Sequence, residues 1–219
     1  MIRKAKMPVK RPVGGSVLMG SRAIDRKWQI IQAAAALFIK KGTVNTGVRE
    51  IAESSGITVG TLYHYFHSKE EIIAAFMDYA VDATNNFYKY SETHLKRMNP
   101  LKALKLAIKL YFGYTSEAQN VILFWHQETR NLSVELRNRL LDNECVLLGI
   151  FESIIERGRQ KGIFKINDCR LAAHNIIVLG DMWSFRRWDL RGRITAGQYL
   201  EEQTSFILSG LCGGDSVQG

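Results

Sequence analysis

From Arg22 to Leu211 the apolar residues of this chain recur at intervals of three and four, and no alternating run bounded by hairpin turns appears. That spacing puts them on one face of successive α-helices and argues against a sheet protein. Only three prolines interrupt the chain, at positions 8, 12 and 100, so little opposes long helices. The expectation is an all-α fold of about nine helices. With 46% apolar and 23% charged residues, 219 residues are enough to bury a core. No apolar run approaches the roughly 18 residues of a membrane span, and the basic start lacks the apolar stretch of a signal peptide. Cys145, Cys169 and Cys212 form no C-x-x-C pair, so neither a disulfide framework nor a zinc site is legible. A reduced, cytoplasmic protein with no membrane partner is expected.

The first helix carries Trp28, Ile31, Ala34, Ala35, Leu37 and Phe38 and stops at Gly42, after Lys40-Lys41. Two short helices follow, at about Thr46–Ser54 and Thr58–Phe66, with Gly56 allowing a tight turn between them. Ser68-Lys69-Glu70-Glu71 has the form of a capping box and starts a longer helix towards Tyr90. Beyond Pro100, helices are predicted over 101–116, 120–131, 134–161, 168–188 and 195–211, with Asn167 or Asp168 and then Thr195 as caps.

Charge is unevenly spread. Residues 1–72 hold twelve Lys/Arg against five Asp/Glu, and the remaining 147 hold eighteen against sixteen, within a net charge of +9. A cationic first third on a near-neutral body suits a polyanion touching one end, although a solvated basic surface would look the same. Residues 1–21 contain Arg3, Lys4, Lys6, Lys10 and Arg11 and no acid, the composition of a disordered basic arm. Such an arm is either a plain leader or a tracker of phosphates.

Two short helices joined by Gly56-Ile57-Thr58 match a helix-turn-helix. The second must show small or hydrogen-bonding groups outward, where base edges and phosphates lie. Thr58, Gly60, Thr61, Tyr63, His64 and Tyr65 meet that need, while Leu62 and Phe66 point to the core. Residues 28–73 resemble the DNA-binding domain of the TetR family of transcriptional regulators. The likeness rests on Ala34, Leu37, Phe38, Gly42, Val48, Ile51, Ala52, Gly56 and the string Gly60-Thr61-Leu62-Tyr63-His64-Tyr65-Phe66-x-Ser68-Lys69. It implies a helix-turn-helix domain over 22–82 followed by a ligand-binding and dimerisation domain over 83–219. It also implies base or phosphate contacts from Val59, Gly60, Thr61, Tyr63 and Tyr65, a contact from Arg49, and a phosphate grip by Lys69. Val59, being apolar, suits a thymine methyl.

A single unit of this kind reads few base pairs, so a homodimer on near-palindromic double-stranded DNA is expected. The resemblance builds that dimer from the last two helices, through Leu171, Ile176, Val178, Leu179, Leu200, Phe206, Ile207 and Leu211. On pattern alone these residues equally suit the monomer's own core. The family also encloses a pocket for a small-molecule effector. Phe124 to Glu128, Gly162-Ile163-Phe164 and Trp183 to Trp188 resemble the branch that senses acyl-CoA thioesters and controls fatty-acid or sterol breakdown. Tyr111, Trp125, Glu128, Arg130, Trp183, Arg186 and Arg187 are the candidate ligand residues, the two neighbouring arginines for CoA phosphates. Packed side chains with a structural ion pair are the plainer reading of Trp125 to Arg130. His126-x-Glu128 echoes a zinc deaminase, but no P-C-x-x-C follows, so no metal is expected. No cofactor loop is present and no catalytic residues are assigned. The competing functions are a small helical enzyme using His126, Glu128 or Cys145, and an architectural DNA-binding protein without an effector.

Overall fold

The computed structural model describes residues 21–213, so the basic arm expected over 1–21 lies, apart from Ser21, outside the described residues. Within them the chain is helical. Ten α-helices and two short 3-10 turns form, and no strand. The helices divide between two compact units that do not follow chain order. Among the described residues, one unit holds 21–83 and 120–141, and the other holds 84–119 and 142–213.

The first unit begins with α1 (Ser21–Lys41), whose Ile30, Ile31, Ala34, Ala35 and Phe38 are buried. Helix α1 ends at Gly42, where φ is +84°, a left-handed turn that a side chain would resist. Helices α2 (Val48–Ser54) and α3 (Val59–Tyr65) follow, separated by Gly56 at φ +65°. The start of α4 (Lys69–Thr93) adds Ile72, Ile73, Phe76 and Met77 to the core. Glu71 of the expected capping box reaches one residue further back than the pattern implies. Its amide takes the Ser68 hydroxyl oxygen at 3.1 Å, but its carboxylate accepts from the His67 amide at 2.6 Å.

The chain returns to this unit with α6 (Gln119–Glu128) and the first turns of α7 (Val134–Gln160). Phe124 of α6 is fully buried, with its ring centroid 5.8 Å from Phe38 and 5.0 Å from Phe76. Trp125 lies 6.0 Å from Phe76. An aromatic cluster drawn from three helices is therefore the centre of this unit.

The other unit is built on α5 (Pro100–Glu117), α8 (Cys169–Phe185) and α10 (Ala196–Cys212), with the later turns of α7. Asn99 caps α5 with Pro100 in its first turn, Asp168 caps α8, and Thr195 and Gln198 form a capping box on α10. Leu104, Ile108, Phe151, Ile155, Ile176 and Tyr199 are among its buried side chains. The helix expected over 168–188 is interrupted. It stops at Phe185, turns at Arg186 (φ −98°, ψ 17°), and resumes as the four-residue α9 (Arg187–Leu190), which takes the total above the nine anticipated. Among the described residues, no helix is long and apolar enough to cross a membrane.

Candidate nucleic-acid interface

Helix α3 is seven residues long and depends on its surroundings for its position. Leu62 and Phe66 are buried on one side, and Ile51 and Ala52 of α2 are buried with them. The turn before it is closed by the amide of Ile57 on the Ala52 carbonyl at 3.0 Å. Thr58 caps α3: its hydroxyl oxygen accepts from the Thr61 amide at 3.1 Å, and the two hydroxyls are 2.9 Å apart. The opposite side is open. Thr58, Gly60, Thr61, Tyr63 and His64 are exposed, and Val59 and Tyr65 are half-buried, with the His64 ring edge-on to Tyr65. Arg49 is exposed on α2. A hydroxyl, imidazole and phenol face with a glycine for close approach can hydrogen-bond to base edges and phosphates.

Lys69 is held within the protein. Its ammonium donates to the carbonyl of Thr43 at 2.6 Å and of Thr46 at 3.3 Å, which fastens the start of α4 to the α1–α2 loop. An ammonium has three N–H groups, so one remains for a phosphate. The same loop is gripped by Glu128 at the end of α6. That carboxylate is buried and accepts from the Thr43 amide at 3.0 Å, the Thr43 hydroxyl, and the Asn131 side-chain amide at 3.2 Å. Burial pushes the Glu128 carboxyl up, but the Thr43 and Asn131 hydrogen bonds and the nearby Lys69 charge outweigh it and hold it below its usual range. An ion pair from Lys41 to Glu50 ties the end of α1 to α2.

The seven candidate ligand residues divide between the two units. Trp125, Glu128 and Arg130 belong to the unit that carries α3, where Trp125 packs in the core, Glu128 holds the loop and Arg130 is exposed. Tyr111, Trp183, Arg186 and Arg187 belong to the other. The buried Tyr111 hydroxyl donates to Asp181 at 2.8 Å, and burial together with that carboxylate pushes the phenol well above its ordinary range. Trp183 packs against Tyr199 at 5.3 Å with its Nε1 buried and without a partner. Arg187 donates to Gln119 at 2.9 Å, and the Arg186 guanidinium lies 5.0 Å above the exposed Trp188 ring. His126 and Cys145 are exposed on separate helices, and among the described residues no three metal-ligating side chains gather.

The helices expected at a dimer interface carry an uncovered apolar surface in this chain. Leu171 is 57% exposed, Val178 51% and Phe206 70%, beside an open groove of about 510 Å³ between α8 and α10. Ile176, Ile207 and Leu211 instead belong to the core.

Thr43 has no signal of its own in the sequence, because its partner stands 85 residues away and only the fold joins them. Glu128 had a readable one. Val121, Ile122, Trp125 and Glu128 share a helical stripe, so a carboxylate ends an inward-facing row.

An open helix-turn-helix face carried on an all-helical chain defines a DNA-binding regulator. Residues 30–76 match the family described as bacterial regulatory proteins, tetR family, and residues 98–211 match the tetracyclin repressor-like C-terminal domain. The chain belongs to the TetR family of DNA-binding transcriptional regulators and is not an enzyme. It is 29% identical over 150 residues to the fatty acid metabolism regulator protein of Bacillus subtilis, covering 68% of this chain and 76% of that one. Its fold is similar to the ketosteroid transcriptional regulator KstR2 of Mycobacterium tuberculosis, with a TM-score of 0.76 at 24% identity over 93% of this chain and all of that chain. It is also similar to FadR from Bacillus subtilis in complex with stearoyl-CoA, with a TM-score of 0.62 at 24% identity over 84% of this chain and 98% of that one.

Proposed function

We propose that the protein is a homodimeric repressor that holds a near-palindromic operator through two α3 helices and releases it when a CoA thioester of a fatty or sterol-derived acid binds. The observation that carries the proposal is the division of α3 into a fully buried side, Leu62 with Phe66, and an open polar side from Thr58 to His64. A seven-residue helix reads only part of a site, so two copies spaced on two half-sites complete it. The uncovered Leu171, Val178 and Phe206 are the surface this reading assigns to pairing.

The effector class is supported by the relatives: one is called a fatty acid metabolism regulator, one a ketosteroid regulator, and one was solved with stearoyl-CoA. In this scheme Arg186 is offered to CoA phosphates, whereas Arg187 must first release Gln119. Neither a resident cofactor nor a metal is required.

The test begins with DNA fragments selected by the purified protein and sequenced to give the operator. Fluorescence anisotropy should show binding whose log affinity falls linearly with log salt. Micromolar stearoyl-CoA should then release the operator, while stearate and CoA separately should not. If CoA thioesters of every chain length leave the complex intact and give no heat in titration calorimetry, the protein is an architectural binder and the effector half is wrong. Binding that is indifferent to salt would remove the DNA half.

A further inference from the structure

The α1–α2 loop is unusual in what holds it. Residues 42–47 bury Thr43 and Thr46, but the loop's one apolar side chain, Val44, is 73% exposed. No apolar anchor seats the loop, so its position depends on polar bonds. Two run within it, from the Thr46 hydroxyl to the Gly42 carbonyl at 2.8 Å and from the Thr46 amide to the Thr43 carbonyl at 3.3 Å. The others come from outside. Lys69 takes the carbonyl of Thr43, and Glu128 takes its amide and hydroxyl. One residue is thus clamped at both ends of its backbone, from the start of α4 and from the end of α6.

We infer that Glu128 is a positioning residue for operator binding: through Thr43 its carboxylate sets the loop that leads into α2, and so the seat on which α3 meets DNA. Gly47, the last residue of that loop, caps α2, and Arg49 stands two residues further on, within the first turn. A shift of the Thr43 peptide therefore moves the entry to the helix pair that reads the duplex. Glu128 touches no DNA in this account. It acts through the loop that Thr43 anchors, and the inference rests on operator binding and not on the identity of any effector.

The chemistry is specific to an acceptor. All three donors converge on one carboxylate oxygen, Oε2. Glutamine keeps a side-chain oxygen able to take the Thr43 amide and hydroxyl, whereas methionine of the same length fills the space and offers only a weak sulfur acceptor. Comparing Glu128→Met with Glu128→Gln therefore separates hydrogen bonding from packing.

The experiment measures operator affinity by anisotropy for the full-length wild type, E128M, E128Q and T43V, well below their melting temperatures. Hydrogen exchange at the Thr43 amide is followed in parallel. E128M should bind at least about tenfold more weakly and lose protection at Thr43, because a buried donor is left without its partner. E128Q should recover most of the affinity. T43V, which removes only the hydroxyl, should lose affinity by about threefold. Affinity within twofold of wild type for E128M, with Thr43 protection gone, would overturn the inference. Equal losses in E128M and E128Q would do the same, since packing would then account for both. If E128M does not fold at the assay temperature, T43V decides alone, and unchanged binding by that variant overturns the inference. Failure of the wild type to bind DNA at all would instead count against the proposed function.

Discussion

Replacing Phe124 by alanine tests whether α6 belongs to the DNA-reading core. The side chain is fully buried, with ring centroids 5.0 Å from Phe76, 5.4 Å from Trp125 and 5.8 Å from Phe38. Truncating a buried phenylalanine costs about 3–5 kcal/mol through lost transfer energy and the cavity left behind. Aromatic pairs add about 0.5–1.5 kcal/mol each beyond area, which places F124A towards the upper end. Against the roughly 5–15 kcal/mol that holds a folded domain, the loss leaves this unit marginal. The assay is native-state hydrogen exchange, with F151A as its counterpart. Phe151 is equally buried but packs 5.7 Å from Tyr111 and 6.0 Å from Phe87 in the other unit. F124A should strip protection from amides of α1 and α2, and F151A from those of α5 and α8. If F124A leaves the opening free energy of α1 within about 1 kcal/mol of wild type while α5 exchanges faster, the assignment of α6 to the reading core is wrong.

Three further outcomes are expected. The depressed Glu128 carboxyl contributes stability above the ordinary carboxylate range and loses it as pH falls through its folded-state value, so acidification below about pH 4 should lower the wild-type Tm more than that of E128Q. Parallel slopes in a calorimetric pH series would refute this. Phe206→Glu, placed on the uncovered α10 surface, should halve the mass seen by sedimentation and weaken operator binding without changing helicity; a persistent dimer would move the pairing surface elsewhere. Lys69→Ala should lower Tm, because two loop carbonyls lose their donor; it should weaken both operator and random DNA, with a salt slope smaller by about 1, and the operator somewhat more because Thr43 loses one of its anchors. A loss confined to the operator would contradict a phosphate role.

Helix positions and the split of α3 into a buried and an open face were legible because period and turn chemistry are local. Leu62 and Phe66 are buried as their spacing predicts, and Thr58 and Thr195 cap where hydroxyls precede a helix. The string Trp125 to Arg130 shows where local reasoning stops. Its residues looked like one cluster, but the helix turns Trp125 and Glu128 inward and His126, Gln127 and Arg130 outward. The grouping of 120–141 with the first helices depends on Phe38 meeting Phe124, a contact that no local pattern reports. The proposed pairing surface was also ambiguous. Leu171 and Ile176 are equally apolar in sequence, and only packing leaves the first uncovered and the second in the core. The helix break at Arg186 had no glycine or proline to announce it.

The return of residues 120–141 to the DNA-reading unit bears on any attempt to take this regulator apart. An excised fragment ending near residue 83 would lack Phe124 and the acceptor for Thr43, and should expose oil where an aromatic ring belongs. Hybrid sensors that graft this reader onto a foreign input module should therefore transplant the two stretches together, with junctions after residues 83, 119 and 141.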